Sequence, residues 1–470
     1  MASKQNLVEP ANSGSNGNRK ASTFAAQSQL PRLPIPALED TMTKFTASVS
    51  ALLTAQEQKE TQKIVQEFLS TDGPKLQQLL VQYEAEGVAN KSFGSYVEEF
   101  WNDSYLAPDD SVVLNLNPYF ILEKGPDRKT SHDQLHRAAS LCFASLKMAS
   151  MLKHETLPPD TFKGRPLCMD QFKVLFGSTR VPVGGGAGTK DYVHHYPDST
   201  HVVVLIKNHI YYFQALWPGT FNVAVDQHDV KEILEAIERH ADYLQDGKTT
   251  ASQKTTSNNN NINGHNKKQN SNGTTKSNRN ANASHHQQEY DNHDMVDANG
   301  KTVSFVACDE SLGVLTSLPR REWAAARKMI NEEGNAKNQA ALKLIDSALF
   351  ALVLDDHAPE NVNQSAANML HGSHKLIKGP NNELMQVGSC CNRWYDKLQL
   401  IVMANGEAGV NFEHSSIDGH SALRYVSDIF AENVIQVCHD VISVLTAATP
   451  VTVAVALPFS YHLRTALRAE

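Results

Sequence analysis

Arg393-Trp394-Tyr395-Asp396-Lys397, then Asn405-Gly406, then Glu413-His414-Ser415-Ser416-Ile417-Asp418-Gly419: these three runs place one histidine at a defined point of a fold. Leu398, Leu400, Ile401 and Val402 spell a short apolar strand, Asn405-Gly406 suits a tight hairpin turn, and residues 408–412 spell the returning strand. His414 falls just past that strand's end. From Asp418 onward Leu423, Val426, Ile429 and Phe430 recur at helical spacing, so the histidine is expected at a strand-to-helix junction with Asp418 four residues further on.

Such junctions expose side chains to clefts, and an imidazole keeps a usable neutral fraction near physiological pH. It can therefore act as a general base. Where the nucleophile is a hydroxyl or thiol of the substrate, the protein needs no serine or cysteine nucleophile of its own. It needs to remove a proton and stabilise an oxyanion, which fits acyl transfer from a thioester to an alcohol. On spacing alone His-x-x-x-Asp-Gly is a weak pattern, because a histidine near an acidic residue is most often only hydrogen-bonded.

The longer pattern resembles the carnitine/choline acyltransferase family at two separate places. One is the run from Leu30 to Met42 (LPRLPIPALEDTM), a proline-punctuated entry followed by a helix; the other runs from Arg393 to Gly419. Residues 155–162, 166–169, 175–177 and 369–372 also look like family segments, and Asn115 to Phe120 (NLNPYF) is closest to fungal-type carnitine acetyltransferases. The resemblance implies an α/β, chloramphenicol-acetyltransferase-like domain with a mixed sheet flanked by helices. It implies that His414 is the base, deprotonating the carnitine hydroxyl or the coenzyme A thiol according to direction. Asp418 falls on the acidic position beside it, and Glu413 immediately precedes the base. Arg393 and Asp396 are implied to be structural, tying the strand to its neighbours. Trp101 and Tyr105 resemble an aromatic pair near the family's carnitine pocket, with buried core aromatics as the plainer reading. Carnitine and acyl-CoA are the implied partners, with no bound cofactor, no metal and no covalent acyl-enzyme.

Family members carry two similar domains with the histidine in a tunnel between them, yet only 51 residues follow Gly419 here. The second domain is therefore expected to be largely absent. The stretch from Thr446 to Phe459 changes composition and ends in a patternless run, as though read in another frame. The expected division is a disordered N-terminus over 1–29, a helical segment over 30–92, an acyltransferase domain over 93–446 and an atypical tail over 447–470. Two readings follow: a carnitine O-acyltransferase, acetyl by its wording, or a catalytically inactive binding remnant. Choline stays open as the acceptor.

Residues 247–300 are Asn-, Ser-, Thr- and Lys-rich with almost no large aliphatics, so they are expected to be a disordered insertion within the domain. His285-His286 within it reads as spacer rather than a metal site, and Val303 to Ala307 read as a strand. A net charge of -8 argues against nucleic acid as a partner. The uncharged run from Val441 to Phe459 contains Pro450 and Pro458 and is not expected to span a membrane. Six irregularly spaced cysteines suggest reduced thiols. A monomer is expected, cytoplasmic, with mitochondrial or peroxisomal placement as the alternative. Ser131 and Gln134 read as a capping box opening a helix through Met151, His201 to Lys207 and His209 to Gln214 as paired strands, and residues 184–188 as a glycine-rich loop lacking the Gly-Lys-Ser/Thr ending of a phosphate loop.

Overall fold

A computed structural model describes residues 22–90, 94–125, 131–185, 188–258, 311–332, 336–378 and 384–448. Six strands form the central sheet: β1 (Tyr119–Leu122), β2 (His201–Ile206), β3 (His209–Gln214), β4 (Ala351–Asp355), β5 (Gln399–Met403) and β6 (Ala408–Asn411). Their order is β1-β6-β5-β4-β2-β3. β4 runs parallel to β2 and β5, and the remaining neighbours are antiparallel, so the sheet is mixed as expected.

The strand sequences explain why both faces are covered. β2 reads His-Val-Val-Val-Leu-Ile, a β-branched run without polar alternation, which suits a strand buried on two sides. Its Val202, Val204 and Ile206 join Leu352, Leu354, Leu400 and Val402 in one apolar cluster, while Val203 and Leu205 join Ala351, Val353, Ile401 and Met403 in another. The first cluster takes in α5 (Gln134–Lys153) and the start of α10 (Gly419–Ala448); the second takes in Trp323 of α7 (Arg320–Glu332), Leu342 and Ile345 of α8 (Ala336–Asp346) and Met369 of α9 (Val362–His371). Ahead of the sheet lie α1 (Leu38–Val49), α2 (Ala55–Ser70), α3 (Gly73–Asn90) and α4 (Glu98–Leu106).

Several expectations change in detail. The β5–β6 hairpin forms, but three residues connect Met403 to Glu407 rather than two: the Gly406 N–H donates to Met403 O and the Met403 N–H to Glu407 O. Only Gly406 is left-handed, with φ +78°, whereas a two-residue turn of the favoured kind needs positive φ at both positions. A side chain at Gly406 would also meet the Ser131 carbonyl at 2.2 Å. No capping box joins Ser131 to Gln134. Asp133 caps α5 by accepting from the His136 N–H, which frees the Gln134 amide to donate to Asp355 O and Val402 O at the ends of β4 and β5.

Residues 22–29 are packed, against the expectation of disorder up to residue 29. The Thr23 side chain is buried and donates to Leu157 O, its N–H donates to Glu155 O, and the Gln27 side chain accepts from the Met169 N–H. Helix α6 (Gln227–Asn258) carries twelve residues into the low-complexity tract. The rest of that tract, His285-His286 and the Val303–Ala307 strand lie outside the described residues, as do residues 1–21 and 449–470 of the tail. Cys391 is disulfide-bonded, so the thiols are not all reduced. Among the described residues no helix is long and apolar enough to cross a membrane.

Candidate active site

His414 lies between the end of β6 and the first turn of α10, half-buried. Phe412 before it and Ile417 after it are buried in the core, which pins the junction from both sides. The imidazole stacks on Tyr105, with ring centroids 4.8 Å apart and planes 26° apart, and tilts against Phe412 at 5.8 Å. Tyr105 in turn lies 5.1 Å from Trp101, four residues earlier on the same face of α4. Neither aromatic is a core residue: Trp101 is 47% exposed and Tyr105 half-buried. The structure thus brings Trp101, Tyr105 and His414 into one row of rings. His414 Nδ1 is buried and makes no hydrogen bond among the described residues.

The turn that carries His414 is locked by the side chain before it. Glu413 Oε1 accepts from Arg180 Nη1 at 3.1 Å, and Oε2 accepts from the Ser415 N–H at 3.1 Å and from the Ser415 hydroxyl. Arg180 Nε donates to Asp191 Oδ2 at 2.8 Å, and Arg320 Nε donates to the same oxygen at 2.6 Å. Arg320 Nη1 then lies 2.9 Å from Asp396 Oδ1, whose Oδ2 accepts from Trp323 Nε1 at 2.7 Å. Every charged member is buried. Burial works against the Arg320 charge, but Asp396 and Asp191 outweigh it and hold its pKa above the ordinary value. Buried charges persist when paired in this way.

Asp418 does something else. Its carboxylate accepts from the Ser421 N–H at 3.0 Å, capping α10, and its own N–H donates to Gln171 Oε1 at 2.9 Å. The +4 position thus starts the helix, and no contact between Asp418 and His414 is found among the described residues. Arg393 Nη2 donates to Asp355 Oδ2 at 2.5 Å and to Asn368 O at 2.9 Å, tying the start of the signature to β4 and α9. Asp396 and Arg393 are therefore interior struts, both fully buried.

The family model for choline/carnitine O-acyltransferases matches residues 33–297 and 278–460 of this chain. The chain belongs to that family. A Saccharomyces cerevisiae protein named "Putative mitochondrial carnitine O-acetyltransferase" is 32% identical over 428 residues, covering 86% of this chain and 53% of that protein. Human mitochondrial carnitine O-palmitoyltransferase 2 is 26% identical over 444 residues, covering 87% of this chain and 53% of its own. A second yeast carnitine O-acetyltransferase is 26% identical, with 91% of this chain and 48% of that protein covered. The chain spans about half the length of the curated acyltransferases it matches.

Sequence reading missed Arg180, Asp191, Arg320 and Gln171. The one available signal was an arginine inside Ser178–Val181, a buried strand that pairs with Tyr192–His195. A cleft of about 500 Å³ is lined by α5, α10 and the segment between Leu157 and Leu167, with Met148, Met151, Leu157, Leu423, Phe430 and the paired Arg424 and Asp160 in its wall; His414, Tyr105 and Trp101 are not part of that lining.

Proposed function

We propose that this chain supplies the base of a carnitine O-acyltransferase, with acetyl as the acyl group. His414 takes the proton from the carnitine hydroxyl as its oxygen attacks the thioester carbon; the C–S bond breaks, and the coenzyme A sulfur receives a proton from the imidazolium. In reverse the thiol is the group deprotonated. The acyl group passes directly between substrates, so no protein nucleophile is required. The observation that carries this reading is the His414 ring itself, presented at a strand end by a locked turn beside Tyr105 and Trp101. Aromatic faces next to a base suit a substrate bearing a quaternary ammonium.

Acetyl is favoured by the run from Asn115 to Phe120 and by one of the two yeast proteins named for acetyl transfer, which is 32% identical; the other, at 26%, is no nearer than the human protein named for palmitoyl transfer. The same relatives' names favour the mitochondrial alternative over the cytoplasm.

The test is thiol release from acetyl-CoA by the purified chain, with and without carnitine. Carnitine-dependent release that falls by about 10²- to 10⁴-fold in His414→Ala supports the base. Choline substituted for carnitine decides the acceptor. Well-folded protein that releases no thiol with either alcohol would instead support the inactive binding remnant.

A further inference from the structure

Arg180 has no role in the sequence reading, yet its guanidinium is buried between two carboxylates that belong to different parts of the site. One is Glu413, which fixes the His414 turn through the Ser415 N–H. The other is Asp191, whose backbone N–H donates to Leu106 O at 3.0 Å, at the end of α4 and one residue past Tyr105. The two rings that stack at 4.8 Å are thus held from behind by one side chain.

We propose that Arg180 is a positioning residue for proton transfer: by bridging Glu413 and Asp191 it sets the contact between the Tyr105 and His414 rings, and with it the aim of the imidazole. This rests on the reading of His414 as the base. The bland role, anchoring the hairpin that carries it, is filled by other groups. The Arg180 N–H donates to Asp396 O at 2.9 Å, and the Thr179 hydroxyl donates to the same oxygen at 3.3 Å. Strand pairing from Ser178–Val181 to Tyr192–His195 adds a backbone register that needs no guanidinium. What the guanidinium adds is reach in two directions at once. A planar fork spans two carboxylates, whereas an ammonium is a point charge that serves one of them well.

Arg180→Lys therefore keeps the charge and breaks the bridge. The decisive measurement is NMR of the His414 imidazole. Tyr105→Leu defines where the His414 Cε1–H resonance lies without the stacked ring. In Arg180→Lys that resonance is expected to move toward the Tyr105→Leu position, while amide exchange in residues 178–181 and 192–195 stays as in the parent. In the acyl-transfer assay kcat is expected to fall about 10- to 100-fold with KM for acetyl-CoA within about twofold, the pattern of a misplaced group rather than lost binding. An unchanged His414 resonance in folded Arg180→Lys would overturn the proposal, as would loss of hairpin protection together with the change in resonance. If Arg180→Lys does not fold, Glu413→Gln opens the bridge from its other end and must give the same shift. Full activity in His414→Ala would remove the base reading alone, because the ring measurement decides Arg180 without turnover.

Discussion

Lys397 has its entire side chain in the interior, where its ammonium donates to the Ser178 and Asp346 carbonyls. Burial pulls its pKa down to about 7, against the opposing pull of Asp346 and Asp396. Below about pH 7 folded and unfolded chains both hold that proton, and the folded state carries the cost of the buried charge. Between about pH 7 and about pH 10 only the unfolded chain holds it, so stability rises with pH, by at most about 1.4 kcal/mol per unit from this group. Urea unfolding across that window should show a flatter rise in Lys397→Met than in the parent; parallel curves would remove Lys397 as the cause. At this scale His414 was legible because its position follows from local chain pattern and a long family motif. Arg180 and Asp191 were not, because their meaning lies in contacts with Glu413 and Arg320, across 233 and 129 residues of sequence. Asp418 was read as a neighbour of the base from its spacing, and the helix it caps explains its presence better.

Among elements, α10 depends on that cap. Asp418→Ala removes the oxygen that accepts from the Ser421 N–H and should cost about 1 kcal/mol in chemical denaturation, within the range of N-cap losses. Asp418→Asn should recover most of it, and a silent Asp418→Ala would mean that Gln171, which binds both the Asp418 N–H and the Ser421 hydroxyl, is a sufficient cap by itself. The hairpin and the strand pair of β2 and β3 were legible from apolar runs punctuated by turn residues. The start of α5 was not: Ser131 and Gln134 have capping-box spacing, but tertiary contacts claim Gln134 for the ends of β4 and β5, and Asp133 takes the cap. Long-range demand on a side chain overrides its local pattern.

Over the whole molecule the burial is uneven. Helix α5 buries twelve of its residues against the sheet, α6 and α10, whereas α1 buries none, α2 only Val65 and α3 only Gly73 and Gly87. Backbone amides of α1, α2 and α3 should therefore exchange with deuterium well before those of α5, β4 and β5, because few apolar contacts oppose their local opening. Equal protection measured by mass spectrometry would show that something else covers those helices. The α/β class was implied by the family resemblance and supported by apolar runs alternating with helical spacing; the strand order was not legible, since β1 pairs with β6, Ile121 opposite Gly409 and 288 positions apart, by no local rule. The turn from Glu413 to Asp418 has one further consequence. The N–H groups of Ser415 and Asp418 and the hydroxyls of Ser415 and Ser416 are all engaged before any substrate arrives. The loss of backbone freedom in that turn, roughly 1 to 2 kcal/mol per residue, is therefore met during folding, and a ligand reaching His414 does not have to supply it again.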